Sequence, residues 1–177
     1  MNNLAEKLAA SIRDIKDFPK EGIVFKDITP VLKNMALIGE IMDFFTDKTR
    51  GFKIDKIVGI ESRGFIFGMP LAVKMNVPFI PIRKKGKLPA ETVSASYTLE
   101  YGVSELEIHK DAISKGENVL IVDDLLATGG TINAAEELIV KLGGKPVCAV
   151  FLLELSFLKG RENIKNKKLE VISIAKY

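Results

Sequence analysis

The stretch Val119 to Thr131, VLIVDDLLATGGT, holds the residues best suited to chemistry. Its four leading apolar residues predict a buried strand. Asp123 and Asp124 follow at the carboxyl end of that strand, the side on which open α/β sheets bind ligands. The turn Ala127-Thr128-Gly129-Gly130-Thr131 then opens a predicted helix. Two glycines let successive N–H groups converge on one point, and the Thr128 and Thr131 hydroxyls add donors. The helix dipole behind them favours an anion. That is a nest for a phosphate monoester. Ionised carboxylates only accept hydrogen bonds, so the acid pair suits a vicinal diol, and it places negative charge beside a sugar carbon that becomes cationic. A nest a few residues from a diol reader describes a ribose 5-phosphate site. An acid pair alone could bind magnesium in another nucleotide enzyme, and a lone Gly-Gly could be only a turn. The combination of strand, acids and Thr-Gly-Gly-Thr running into a helix favours the ribose phosphate. The P-loop spacing G-x-x-x-x-G-K-[ST] is absent.

The rest of the chain must position that turn. Leu4, Leu8, Ile12 and Ile15 recur at helical spacing and predict an amphipathic helix over 3–15, broken by Phe18-Pro19 and Glu21-Gly22. A short extended piece, Ile23-Val24-Phe25, follows. A second amphipathic helix begins at Asn34, marked by Leu37, Ile38, Ile41, Met42 and Phe45. Lys56 to Ile60 reads as a strand, then the polar turn Glu61-Ser62-Arg63-Gly64, then a helix to about Met75. Pro78 to Ile82 is another strand, and a basic stretch follows it. The helix over 131–142 ends at Gly143-Gly144. Val147 to Leu153 and Leu169 to Ile174 complete the strands. This alternation predicts an α/β fold, a parallel sheet covered by helices on both faces. Residues 92–108 alternate apolar and polar around Glu100-Tyr101-Gly102, which predicts an antiparallel hairpin attached to the sheet. No repeat or linker interrupts residues 1–177, so one domain is expected.

Composition narrows the function classes. Apolar residues make up 47% and charged residues 28%, an ordinary globular balance. A net charge of +3 is too mild to indicate nucleic-acid binding. With one cysteine, Cys148, no disulfide can form within the chain, and its apolar surroundings predict a buried structural thiol. Glu6 and Lys7 stand where a signal peptide would be apolar, and no apolar run reaches the ~18 residues needed to span a bilayer. A cytosolic protein is expected.

The 119–131 segment resembles the phosphoribosyl-pyrophosphate signature of the type I phosphoribosyltransferases. The resemblance runs over nearly the whole chain, through Asp17-Phe18-Pro19, Phe25 to Pro30, Glu61 to Phe65, Arg83 to Pro89, Leu99 to Gly102 and Leu158 to Glu162. It implies that family's fold: a mainly parallel sheet flanked by helices, with an antiparallel hairpin as flexible lid. Within the family the chain is similar to the branch that takes adenine. That implies transfer of 5-phosphoribosyl from phosphoribosyl pyrophosphate to adenine, giving AMP and pyrophosphate, with magnesium held mainly by substrate phosphates and ribose hydroxyls. A homodimer is implied as well.

The resemblance assigns roles residue by residue. Asp123, Asp124, Ala127, Thr128, Gly129, Gly130 and Thr131 would hold ribose 5-phosphate. Glu61, Ser62 and Arg63 form the pyrophosphate loop, with Arg83, Lys84 and Lys87 as further pyrophosphate contacts, part of that cluster reaching across a dimer interface. Residues 1–33 contribute to a hood over the base, where Phe25 would stack on the purine. Backbone groups of Val24 and Lys26 would read its edge, and Leu158 would cover the other face. Some relatives carry Arg at Lys26, and a planar guanidinium is not replaced by an ammonium. Residues 87–102 form the lid, where Glu100 is the candidate for proton handling on the imidazole ring. Glu105 and Glu107 are expected to face solvent, and His109 to be a surface or spacer residue. Relatives for 6-oxopurines usually place an aspartate at the position of Ala127, and alanine cannot take a proton. This favours adenine over hypoxanthine, guanine or xanthine. A regulator that senses phosphoribosyl pyrophosphate is the other alternative. Such proteins often carry a DNA-binding extension, and no second helix pairs with the first as a helix-turn-helix would require.

Overall fold

The computed structural model describes residues 2–99 and 102–177. Helix α1 (Asn2–Ser11) leads into the hairpin β1 (Arg13–Lys16) and β2 (Val24–Asp27), then α2 (Met35–Thr49). Strand β3 (Lys56–Ile60) and helix α3 (Arg63–Met75) follow, then β4 (Phe79–Lys84) and the hairpin β5 (Thr92–Leu99) and β6 (Gly102–His109). The chain ends with β7 (Asn118–Leu126), α4 (Gly130–Lys141), β8 (Lys145–Glu154), the short α5 (Gly160–Asn163) and β9 (Glu170–Lys176).

Among the described residues the main sheet runs β5-β6-β4-β3-β7-β8-β9. From β4 to β9 every pairing is parallel; β6 joins β4 antiparallel and carries β5 outside it. The apolar strands are therefore core strands covered on both faces, as expected. Successive side chains of β7 enter opposite cores. Val119 and Ile121 meet Leu138 and Ile139 of α4, while Leu120 and Val122 join Phe45 of α2 and Phe67 of α3. Cys148 is fully buried in β8, and burial pushes its thiol up to about 12, so it is a packing residue.

One element differs from expectation. The predicted helix over 3–15 stops at Ser11, and residues 13–16 form β1 instead, with Ile15 opposite Phe25. Arg13 forks onto Asp27 through Nε (3.0 Å) and Nη2 (2.6 Å), and that pairing rewards an extended chain. Ile15 satisfies helical spacing by coincidence, so periodicity alone could not place the break. The start of α2 is clearer: the Asn34 side chain accepts from the Leu37 N–H at 3.1 Å, capping a free helix donor.

Candidate active site

The carboxyl ends of β7, β8 and β9 open on a cavity of about 930 Å³. At the centre, β7 delivers Asp123 to the cavity wall, and Asp123 Oδ1 accepts from the Asp124 N–H at 2.9 Å. Asp124 is 2% exposed, with Arg63 Nε 3.0 Å from its Oδ2. That contact is an ion pair without hydrogen-bond alignment, since Oδ2 is buried and accepts no hydrogen bond among the described residues. Burial pushes both carboxyls above the usual carboxylate range. The neighbouring Asp124 charge drives Asp123 well above it, while the Arg63 charge draws Asp124 partly back.

Immediately beyond, Thr128, Gly129 and Thr131 line the same cavity, and α4 starts at Gly130. Gly129 caps the helix at φ +89°, a conformation glycine adopts without strain. A tight turn and two threonines thus stand at the amino end of a twelve-residue helix.

The opposite wall comes from β2 and from the connection after β8. Val24, Lys26, Phe157 and Leu158 line it. Phe25 packs edge-on against Phe18, and the Arg63 guanidinium stands 5.5 Å from its ring centroid. Lys26 is not free: its Nζ donates to both Asp14 carboxylate oxygens (2.7 and 2.9 Å) and stands 4.1 Å from the Tyr177 ring centroid. Asp14 and Tyr177 line the cavity too, and sequence reasoning missed both. They lie near opposite ends of the chain, outside any local motif.

The edge beyond β3 is basic. The Glu61–Ser62 peptide is cis. Glu61 accepts from Arg83 Nε (3.2 Å), Arg83 Nη2 (3.1 Å) and the Lys84 N–H (2.9 Å), so its carboxylate orients cations. Burial opposes its charge, but the Arg83 fork, the Lys84 N–H and the charges of Arg83 and Lys87 hold it below the usual carboxylate range. Arg83 also donates to the Lys87 carbonyl, while Lys84 and Lys87 are exposed.

The hairpin corrects two expectations. Glu107 is buried at 8% exposure and accepts from the Gly86 N–H (2.9 Å), and Glu105 pairs with Lys85 at 2.6 Å. The basic loop folds back onto β6, so neither acid simply faces solvent. His109 ends β6 half-buried, and its Nε2 is buried without a hydrogen-bond partner among the described residues, so of the surface and spacer roles expected of it the surface one falls. Glu100 lies outside the described residues.

The family model for the phosphoribosyl transferase domain matches residues 27–176. The chain belongs to the phosphoribosyltransferase family. The adenine phosphoribosyltransferase of Halothermothrix orenii is 58% identical over 159 residues, covering 90% of this chain and 94% of that protein. A crystal structure of adenine phosphoribosyltransferase from Thermoanaerobacter pseudethanolicus superposes with a TM-score of 0.94 at 50% identity, covering 98% of this chain and 99% of the other. The enzyme from Saccharomyces cerevisiae, complexed with an imino-altritol bisphosphate and adenine, gives 0.92 at 42% identity over 98% and 99%. The fold is that of type I phosphoribosyltransferases, as the sequence implied. Of the expected site residues, this phosphoribosyltransferase brings Asp123, Ala127, Thr128, Gly129, Thr131, Val24, Lys26 and Leu158 onto one cavity. Asp124 and Phe25 do not line it, though Arg63 contacts both, and Glu61 holds Arg83 in a separate cluster at the ends of β3 and β4.

Proposed function

We propose that the chain transfers the 5-phosphoribosyl group from phosphoribosyl pyrophosphate to adenine, giving AMP and pyrophosphate in purine salvage. The observation that supports this reading is one cavity lined both by Thr128, Gly129 and Thr131 of the expected phosphate nest and by Val24, Lys26 and Leu158 of the expected base wall. A nucleoside monophosphate would use both sets. The named relatives supply the base, and Ala127 agrees with them, since it offers no carboxylate for the purine imidazole.

In the mechanism, the nest amides and the Thr128 and Thr131 hydroxyls hold the 5-phosphate. Asp123 and Asp124 accept from the ribose hydroxyls and stabilise positive charge as the sugar becomes oxocarbenium-like. Displacement at the anomeric carbon then proceeds with inversion. Backbone groups of Val24 and Lys26 read the base edge, Leu158 covers one purine face, and Phe25 stacks once Arg63 turns toward pyrophosphate. The Ser62 and Arg63 loop, with Arg83, Lys84 and Lys87, receives the leaving group. Glu61 acts by holding Arg83. Glu100 handles the proton on the imidazole ring, and the lid of residues 87–102 excludes water.

Magnesium fits this donor set, because two adjacent carboxylates stand where substrate hydroxyls bind; Asp123 and Asp124 are the nearest protein groups. These two carboxylates would help hold the ion, which when bound would neutralise charge on the departing group. The protein works in the cytosol as one domain, residues 1–33 forming the hood, and as a homodimer. A place for the second copy is offered by α3, where Ile66, Met69 and Val73 form an exposed apolar stripe (40%, 50% and 69% exposed) continuous with the Arg63 loop. No described helix is long and apolar enough to cross a membrane.

The test is a spectrophotometric assay of purified protein with phosphoribosyl pyrophosphate, magnesium and each purine base. Adenine gives AMP, while hypoxanthine and guanine react poorly. Comparable product from hypoxanthine would overturn the assignment.

A further inference from the structure

The phosphate nest and the purine cover lie on different connections, yet transfer needs them at one fixed separation. The nest follows β7, and Leu158 follows β8. These strands are paired in register to Leu126 and Glu154, so the two connections leave the sheet side by side. One more backbone bond, from the Leu155 N–H to the Leu126 carbonyl at 2.9 Å, ends the pairing, and past it the two connections need another tie. The segment 159–166 provides it.

Its ties to the nest are direct. Asn163 Nδ2 donates to the Thr128 carbonyl at 3.0 Å. Gly160 lies so close that an added Cβ would run into the Ala127 carbonyl oxygen, and a Cβ on Gly129 would stand 2.6 Å from the Gly160 oxygen. The segment is then laced along α4. Asn133 donates to the Asn163 carbonyl (3.0 Å) and accepts from the Lys165 N–H (2.9 Å), and Asn166 donates to Glu136 (3.0 Å). At its other side Arg161 forks onto the buried Glu154 at the end of β8, through Nε (3.0 Å) and Nη2 (2.6 Å), and donates to the Val171 carbonyl at 2.7 Å.

Peptide planarity gives the Asn163 contact its consequence. Fixing the Thr128 carbonyl fixes the direction of the Gly129 N–H, because both belong to one rigid unit. That N–H is a nest donor. Five residues before Asn163 in the chain, Leu158 closes the base wall.

We propose that residues 159–166 form a strut that sets the base wall against the phosphate nest, with Asn163 and Arg161 as positioning residues. Neither touches substrate in this account. The proposal rests on the assignment of the nest to phosphate and of Leu158 to the base.

AMP reports the strut because it occupies both subsites, whereas adenine and phosphoribosyl pyrophosphate each depend mainly on one. Asn163 is exposed, so Asn163→Ala should fold. Binding of each ligand to the purified variant is measured by calorimetry. Losing one net hydrogen bond should weaken AMP by about three- to tenfold and phosphoribosyl pyrophosphate, which shares the nest donor, by less, with adenine within about twofold. In a cycle with Leu158→Ala, the two losses of AMP affinity should be less than additive. Asn133→Ala, which releases the strut without touching Thr128, should repeat the pattern.

Unchanged AMP affinity in both Asn variants overturns the proposal. So does a parallel loss for all three ligands accompanied by a lower melting temperature, which marks a merely structural role. Thr131→Ala is the control. If it binds AMP normally, the assignment of the nest has failed; if it is impaired while the Asn variants are normal, only the strut has.

Discussion

Asp123→Asn should make the protein more stable and much less active. The substitution preserves shape, and the amide oxygen can still accept from the Asp124 N–H that Asp123 Oδ1 holds at 2.9 Å. What it removes is one of two charges crowded at a poorly solvated strand end. Burial, then the Asp124 charge, raises the Asp123 carboxyl well above its ordinary value of 3.8. A carboxyl whose pKa rises on folding binds its proton more tightly in the folded chain. The wild type is therefore most stable below the ordinary value and loses stability as pH rises through the raised one. The variant escapes that loss. Relief of such a site is worth about 1 kcal/mol, or ~2–4 °C of melting temperature for a chain of this size. The gain should grow as pH rises above the ordinary carboxylate range and fade toward pH 4. Single-turnover AMP formation should fall about 100-fold, the scale of one lost electrostatic stabiliser. Thermal melts across pH and a rapid-quench assay measure both. A variant less stable than wild type at pH 8, or one with near-normal chemistry, would refute the argument.

Two further expectations concern the lid and the assembly. Glu100→Gln should slow single-turnover chemistry by ~10²–10⁴-fold with little change in phosphoribosyl-pyrophosphate affinity; lost affinity with unchanged chemistry would make Glu100 a lid residue only. The wild type should sediment at twice the 19.5 kDa chain mass, and Val73→Lys should drive it toward monomer by placing a charge on the exposed α3 stripe; a wild-type monomer would remove the dimer.

What was legible in the sequence was local. The strand, acid pair and nest of residues 119–131 fall within thirteen consecutive positions, and each local preference there agrees with the fold. Strand β8 was equally plain, because a strand buried on both faces must be apolar throughout. The misses came from contacts between distant segments. Helix α1 stops early because Arg13 finds Asp27, fourteen residues away. Glu107 is buried because Gly86 folds onto it, and its alternation along β6 shows only that it has a face, not what covers that face. Lys26 looked like a weakened substrate contact, yet it is bound to Asp14 and Tyr177, which no motif links to it. Asn163 and Glu154 were silent for the same reason.

The charges of the site also form a pattern that no single motif contains. Asp123 and Asp124 stand at the carboxyl end of β7, while Arg83, Lys84 and Lys87 occupy the edge beyond β3, and Arg63 lies between them in contact with Asp124. A carboxylate at Glu61 works against the basic edge on charge alone, because it repels pyrophosphate. The structure gives it a different task. Glu61 engages Arg83 through two guanidinium nitrogens, and Arg83 extends its third to the Lys87 carbonyl, so one acid orders a cation and the loop that carries another. The basic edge keeps a positive surplus but loses its freedom to disperse. Under the proposed function the field across the reacting bond runs from the ordered cations to the acid pair and draws positive charge toward the acids. The proposed transfer separates charge in the same sense, leaving a cationic sugar beside the acids and releasing an anionic group toward the cations. A preorganised field stabilises that separation without reorientation at the moment of reaction. Loosening Arg83 should therefore slow chemistry even where the net charge of the edge is preserved.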